Sequence, residues 1–440
     1  MRLLLKNGQV YQNNSFINAD VLIENQKIKA IGKLNLKADQ EIDVTGKIVV
    51  PGLVDVHVHY RDPGLTYKED VHTGTMAAAH GGFTTTCAMA NVDPVPNTPE
   101  LIQRMMEHNR QTGVVHVYQY APITADLTSD QLIDYQAMQQ LGVCGFSNDG
   151  HGVQHGGTMY KAMQGIQAVN LPLAEHVEDD SLKFNGVMNE GANAEKLGLA
   201  GIPGECESSQ LARDLVLAAK TGVHYHVCHV STKESVEMIR IAKSMGINVT
   251  CEAAPHHLLL NDGMITTDDA YYKMNPPLRT AEDQEALIEG LLDGTIDMIA
   301  TDHAPHADDE KLHGMVGAAF GITGSETAFS SLYTHLVKPG KCSLEQLIDW
   351  LTVQPAKLFN LTRAGMLRIG DAADIAVFDL DHPFKFSEAD YLSKGRNTPF
   401  TGRELYGQTI MTIVDGEIKY QREKELYDET ILGFGRRKCV

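Results

Sequence analysis

Positive charge is scarce in this chain. Lys and Arg number 37 against 57 Asp and Glu, a formal net charge of −20 with His neutral. A field of that sign repels phosphate and argues against nucleic acid or an anionic membrane as partner. It also gives an anionic substrate no long-range help, so any attraction must be local. No apolar run approaches the ~20 residues that a membrane helix needs. Met1–Val10 is too short and too polar for a signal sequence. The seven cysteines, an odd number without a CxxC pair, read as reduced thiols. Tandem repeats and low-complexity segments are absent. The rest is ordinary globular composition: 440 residues, 43% hydrophobic and 21% charged, with ample apolar material for a large core. The expectation is a soluble, cytoplasmic protein, built as one large barrel with an accessory domain or as two to three smaller domains.

Both ends of the chain read as β structure. Leu3–Leu5, Ala19–Ile23 and Ile28–Ile31 are short runs punctuated by Asn-Gly, Asn-Asn and Asn-Gln, and Ile375–Phe378 and Thr409–Val414 are similar, with turns at Gly370-Asp371 and Asp415-Gly416. Neither piece can bury a sheet face alone, so the two are expected to pack as one discontinuous β-sandwich domain, residues 1–50 with 362–440. Between them, residues 51–361 alternate short apolar strands with helical stretches. The strand candidates are Leu53–His59, Phe83–Met89, Val114–Tyr120, Gly142–Ser147, Leu171–His176, His224–Val230, Ile247–Ala253 and Asp297–Thr301. Helical segments such as Ser208–Lys220 and Glu234–Met245 separate several of them. Eight buried parallel strands alternating with helices predict an α/β fold of the (β/α)₈ TIM-barrel type. A last helix, Leu344–Leu351, is announced by Ser343 and Gln346 in a capping-box pattern.

The stretch Pro51-Gly-Leu-Val-Asp-Val-His-Val-His-Tyr-Arg61 carries the most chemistry. His57 and His59 stand two apart on a strand, so both rings face one side, the interior in a barrel. They lie at the strand's C-terminal end, where barrel active sites form. A bare His-x-His is more often two structural histidines, and the other strands change that balance. Asp149, His176, His229 and Asp302 each fall at the same end of a later strand candidate. Four imidazoles and two carboxylates so placed suit a two-metal hydrolytic site in which the ions jointly activate one hydroxide. His224, His226, His256, His257 and His303 read as structural, with His256 and His257 in a loop, and Cys228 reads as a buried strand residue. The run from His303 to Phe320, rich in Gly, Ala and charge, has the composition of a mobile lid.

These residues closely resemble the dihydroorotases of the amidohydrolase superfamily over essentially the whole chain. The resemblance rests on Asp55-Val-His-Val-His-Tyr-Arg-Asp-Pro-Gly64, Ala90-Asn91, Phe146-Ser-Asn-Asp-Gly150, Ala174-Glu-His176, Cys228-His-Val-Ser231, Lys273-Met-Asn-Pro-Pro-Leu-Arg279 and Thr301-Asp-His-Ala-Pro-His306. It implies that His57, His59 and Asp302 bind one zinc, that His176 and His229 bind the other, and that Asp149 bridges. It implies that Arg61, Asn91 and His306 meet the substrate carboxylate, and that Asn275 and the backbone of Phe320-Gly321 hold the ring amides. A guanidinium binds a carboxylate through two parallel hydrogen bonds and keeps its charge, which fits Arg61. For Arg61 a surface salt bridge is the alternative, and for Asn275 a turn role. Many cyclic amidases of the superfamily bridge their metals with a carboxylated lysine, whereas Phe146-Ser-Asn-Asp149 offers no lysine, which favours the dihydroorotase subgroup. Asn148 departs from the second acid that many relatives carry.

The implied reaction is the reversible, zinc-dependent cyclisation of N-carbamoyl-L-aspartate to L-dihydroorotate in de novo pyrimidine (UMP) biosynthesis, with Asp302 as the catalytic proton carrier. The implied partners are the small-molecule substrate and either a second copy, as a homodimer, or aspartate carbamoyltransferase. The alternatives are a related cyclic amidase, an allantoinase or hydantoinase, and a non-catalytic amidohydrolase-like scaffold that would be expected to have lost ligands.

Overall fold

The protein is described here by a computed structural model covering residues 2–422. Part of the expected C-terminal unit, residues 423–440, lies outside the described residues. The barrel strands are β1 (Leu53–Val58), β2 (Phe83–Ala88), β3 (His116–Ala121), β4 (Gly145–Ser147), β5 (Pro172–Glu175), β6 (His224–Val227), β7 (Val249–Ala253) and β8 (Met298–Ile299). They pair in sequence order, all parallel. The seam between β8 and β1 is closed just beyond the strands, where Val58 bridges His303 and the His59 N–H donates to the His303 carbonyl at 2.9 Å. Asp55 ties the same seam from below, accepting from the Thr301 N–H (3.0 Å) and hydroxyl (2.6 Å).

Most strands are shorter than their sequence patterns predict. Gly142 is not strand: at φ 91 it is the left-handed cap of helix Tyr135–Leu141, and β4 begins at Gly145. At the other ends, His59, His176, His229 and Asp302 fall just past the last ladder residue. The chain leaves the sheet there to turn those side chains over the barrel mouth. The helices come close to expectation: Glu205–Thr221 and Lys233–Ser244 enclose or match the expected spans, and Leu344–Leu351 carries the Ser343–Gln346 capping box. His256 and His257 lie in a short helix, Pro255–Leu259, rather than a loop.

The termini build one mixed sheet of eight strands that fits the expected β-sandwich. Ile48–Pro51 lies parallel to Arg2–Gln12 on one side and antiparallel to Ile375–Asp379 on the other. Gln408–Val414 and Glu417–Gln421 extend the sheet beyond Ile375–Asp379. Leu3, Leu5, Val21, Ile23, Val49, Ile375, Val377 and Ile413 are buried together in its separate core. Residues 384–405 do not stay with that sheet. They run to the barrel mouth, where the Leu392 N–H meets Glu326, Lys394 meets Asp70, and Asn397 packs against the segments holding Ala304 and Gly321.

Candidate metal centre and substrate site

The six expected metal donors converge at the mouth of the barrel, and each is at most 5% exposed. His57, His59 and Asp302 form one close group and Asp149, His176 and His229 another. Asp149 lies between them. Its Oδ1 is 3.3 Å from both His57 Nε2 and His229 Nε2, and its Oδ2 is 3.2 Å from His59 Nε2. His59 Nε2 is 3.1 Å from Asp302 Oδ1, and His176 Nδ1 is 3.0 Å from His229 Nε2. The backbone is bent to bring them in: His229 and Asp302, with neighbouring Arg61, have φ of 32, 49 and 59. Left-handed conformations cost side-chain-bearing residues energy and concentrate at functional sites.

Three buried atoms of this cluster, His57 Nε2, Asp149 Oδ1 and His229 Nδ1, have no hydrogen-bond partner among the described residues. Polar atoms are rarely buried without partners, and the first two of these face the same small space. Burial pushes the Asp149 and Asp302 carboxyls up, but the surrounding imidazoles outweigh it and leave both well below the usual carboxylate range. Two carboxylates and four imidazoles at these separations suit a pair of divalent cations.

Residues behind the donors fix their orientation. Glu252, at the end of β7, accepts from His57 Nδ1 at 2.6 Å and lies 3.1 Å from His226 Nε2. Burial alone pushes the Glu252 carboxyl up, but His57 and His226 hold it at about 2. An ionised carboxylate only accepts, so His57 carries a proton on Nδ1 and turns its Nε2 toward the cluster. His59 Nδ1 makes the equivalent contact with Asn91 Oδ1 at 2.9 Å. On the other side, Glu178 accepts from Asn275 Nδ2 (2.9 Å) and Lys183 Nζ (2.7 Å), with His176 Nε2 3.4 Å away. Glu252 and Glu178 were missed in the sequence, although an acid inside the apolar strand Val249–Ala253 was a usable signal. Glu252→Gln is expected to weaken metal binding roughly tenfold to a hundredfold while the fold persists; a chelator-competition titration measures it.

The expected substrate residues lie on the same mouth. Arg61 is buried, with Nε 3.3 Å from the Pro305 carbonyl and one terminal nitrogen 3.5 Å from His306 Nε2. Among the described residues no carboxylate lies within salt-bridge distance of it, so the surface ion pair does not apply. Asn275 has its Oδ1 buried without a partner among the described residues. The Phe320-Gly321 backbone, by contrast, is already engaged: the Phe320 carbonyl is 2.8 Å from His306 Nε2, and the Gly321 N–H donates to the Lys273 carbonyl at 3.1 Å. Of the five histidines expected to be structural, His224, His226, His257 and His303 make contacts within the protein, His303 Nδ1 accepting from the Gly324 N–H at 3.2 Å, whereas His256 Nε2 is buried without a partner among the described residues. A further group, His116 with Asp374 and Asp415, lies where the barrel meets the terminal sheet. There Arg363 already pairs with Asp415 at 2.6 Å.

Similar proteins are known. The family description "Dihydro-orotase-like" matches residues 46–235, and "Amidohydrolase family" matches residues 287–420. Among solved structures, the L-hydantoinase (dihydropyrimidinase) from Arthrobacter aurescens superposes with a TM-score of 0.86 at 28% identity, covering 94% of this chain and 95% of that one. Barrel, donor set and these matches define an amidohydrolase. The dihydroorotase of Lactobacillus helveticus is 62% identical over 423 residues, 96% of this chain and 99% of the relative. That of Ligilactobacillus salivarius is 60% identical over 430 residues, 97% of this chain and 100% of the relative. Within that class, the chain belongs to the dihydroorotase family.

Proposed function

We propose that this protein interconverts N-carbamoyl-L-aspartate and L-dihydroorotate, closing the ring with loss of water, in the de novo route to UMP. The observation that carries the reading is Arg61: a buried guanidinium without a carboxylate partner among the described residues, beside the donor cluster. Both species carry a carboxylate that takes no part in the closing or opening of the ring. In the proposed site His57, His59 and Asp302 would hold one zinc ion and His176 and His229 a second, with Asp149 as the ligand shared by the two. Bound there, the pair supplies Lewis acidity toward the amide carbonyl and makes water nucleophilic near neutral pH. Asp302, kept ionised by its imidazole neighbours, accepts the proton of the attacking water and passes it to the departing ring nitrogen. Arg61, Asn91 and His306 take the carboxylate. Asn275, with its free Oδ1, and the Phe320-Gly321 backbone take the ring amides, and the ring displaces the His306 contact with the Phe320 carbonyl. Ring closure turns one carboxylate into an amide and takes up a proton, so acid favours closure and base favours opening.

Residues 51–361 are the catalytic unit in this reading, residues 1–50 and 362–440 the accessory one, and residues 303–320 the lid over the ring. The reading sets the enzyme in the cytoplasm, in keeping with the free thiols of the six described cysteines and with the absence of any described helix long and apolar enough to cross a membrane. Association as a homodimer or with aspartate carbamoyltransferase belongs to the same proposal.

The likeness to hydantoinases supports a second reading, a cyclic amidase for hydantoin-like rings. Turnover of dihydroorotate, carbamoyl aspartate, allantoin and 5-substituted hydantoins, with metal analysis on the same sample, separates the two. Hydantoin opening without dihydroorotate turnover overturns the first. The bridging group gives a further expectation. A bridge made by Asp149 needs no carbon dioxide adduct, so metal-free protein given zinc in carbon dioxide-free buffer recovers full activity. Recovery only on addition of bicarbonate rules out the Asp149 bridge.

A further inference from the structure

Lys311 takes no part in the chemistry above, yet it is only 5% exposed. It ends a 3₁₀ turn, Asp308–Lys311, inside the lid segment. Its Nζ donates to three backbone carbonyls: Ala319 at 2.8 Å, Gly321 at 3.0 Å and Lys273 at 3.1 Å. An ammonium has three hydrogens and these contacts use all of them. Burial drives this amine down to about 7, with Lys273 adding to the push, so its place costs energy that the three bonds must offset.

The carbonyls it gathers belong to the two segments proposed to hold the substrate ring, 273–275 and 319–321. The Gly321 carbonyl is gripped a second time by Asn397 Nδ2 at 3.0 Å, and Asn397 Oδ1 accepts from the His306 N–H at 3.1 Å. Position 321 has little freedom of its own. Its φ is +132, and an added Cβ would stand 2.8 Å from the Ala304 Cβ and 3.1 Å from His306 Nε2. We infer that Lys311 is a positioning residue for substrate binding, its buried ammonium locking the 319–321 backbone against the segment carrying Asn275, with Asn397 bracing the same peptide from the opposite side. The inference rests on the assignment of those segments to the ring.

A lock that acts on a wall met by substrate and transition state alike changes binding of both equally, which appears in KM and spares kcat. Lys311→Met is therefore expected to raise the KM for dihydroorotate at least tenfold, with kcat within about threefold of the parent and zinc content unchanged. A role in general stability would lower the melting temperature and leave KM alone. Lys311→Gln, milder and more easily folded, offers two donors on a shorter stem and should raise KM by a smaller factor. A folded Lys311→Met with the parental KM overturns the inference; if that variant does not fold, a folded Lys311→Gln with the parental KM does so. Asn275→Ala is measured in parallel. A KM rise there without one at Lys311 overturns the lock alone, and parental KM in both overturns the ring assignment itself.

Discussion

Arg61→Met is expected to nearly abolish turnover of dihydroorotate and carbamoyl aspartate while the metal content stays at the parental level. Methionine fills the buried space left by the stem and removes the charge, so the fold has no reason to fail. Arg61→Lys should also be severely impaired, because a point charge replaces a planar two-donor fork. A carboxylate held by one contact lets the ring rotate, and misplacement by about an ångström can cost roughly a hundredfold in rate. The loss should appear in kcat/KM in both directions, since both substrates carry the group. A ring analogue without the carboxylate provides the control: poor with the parent, and little worse with the variant. Equal damage to the analogue and to dihydroorotate would mean that Arg61 supports the metal donors or the fold instead.

His176→Ala and His229→Ala should lower metal content and activity together. His176 Nδ1 and His229 Nε2 are 3.0 Å apart, and with Asp149 they form the donor group distinct from that of His57, His59 and Asp302. Losing either should empty one position selectively, leaving about half the parental metal and only a small residue of turnover. Elemental analysis and kinetics on the same preparation provide the check. Full metal content with unchanged turnover in both variants would remove these histidines from the site.

The convergence of the six proposed donors was legible in the sequence because each stands in or just after a short apolar run, and barrel strands aim their ends at one mouth. Arg61 was legible by its place after His59. What the sequence hid was of two kinds. Strand ends were overrun because His59, His176, His229 and Thr301 are still patterned like strand, although the backbone has already left the ladder. The bracing residues Glu252, Glu178, Lys311 and Asn397 were invisible because their roles are made by long-range contacts. Asn397 reaches the mouth from a segment that composition assigns to the terminal sheet, and nothing local marks that excursion.

The pairing of Ile48–Pro51 with Ile375–Asp379 bears on how the protein is made. While the ribosome is still working through the barrel, Ile48–Pro51 has one hydrogen-bonding edge open, and its apolar side chains wait for a strand not yet synthesised. Open edges template pairing with other chains, and larger proteins are vulnerable at this stage of synthesis. A product released before Ile375 would keep that edge and would also lack Asn397 at the mouth. Prematurely terminated chains are therefore expected to aggregate and to be removed by proteases, not to persist as partially active enzyme.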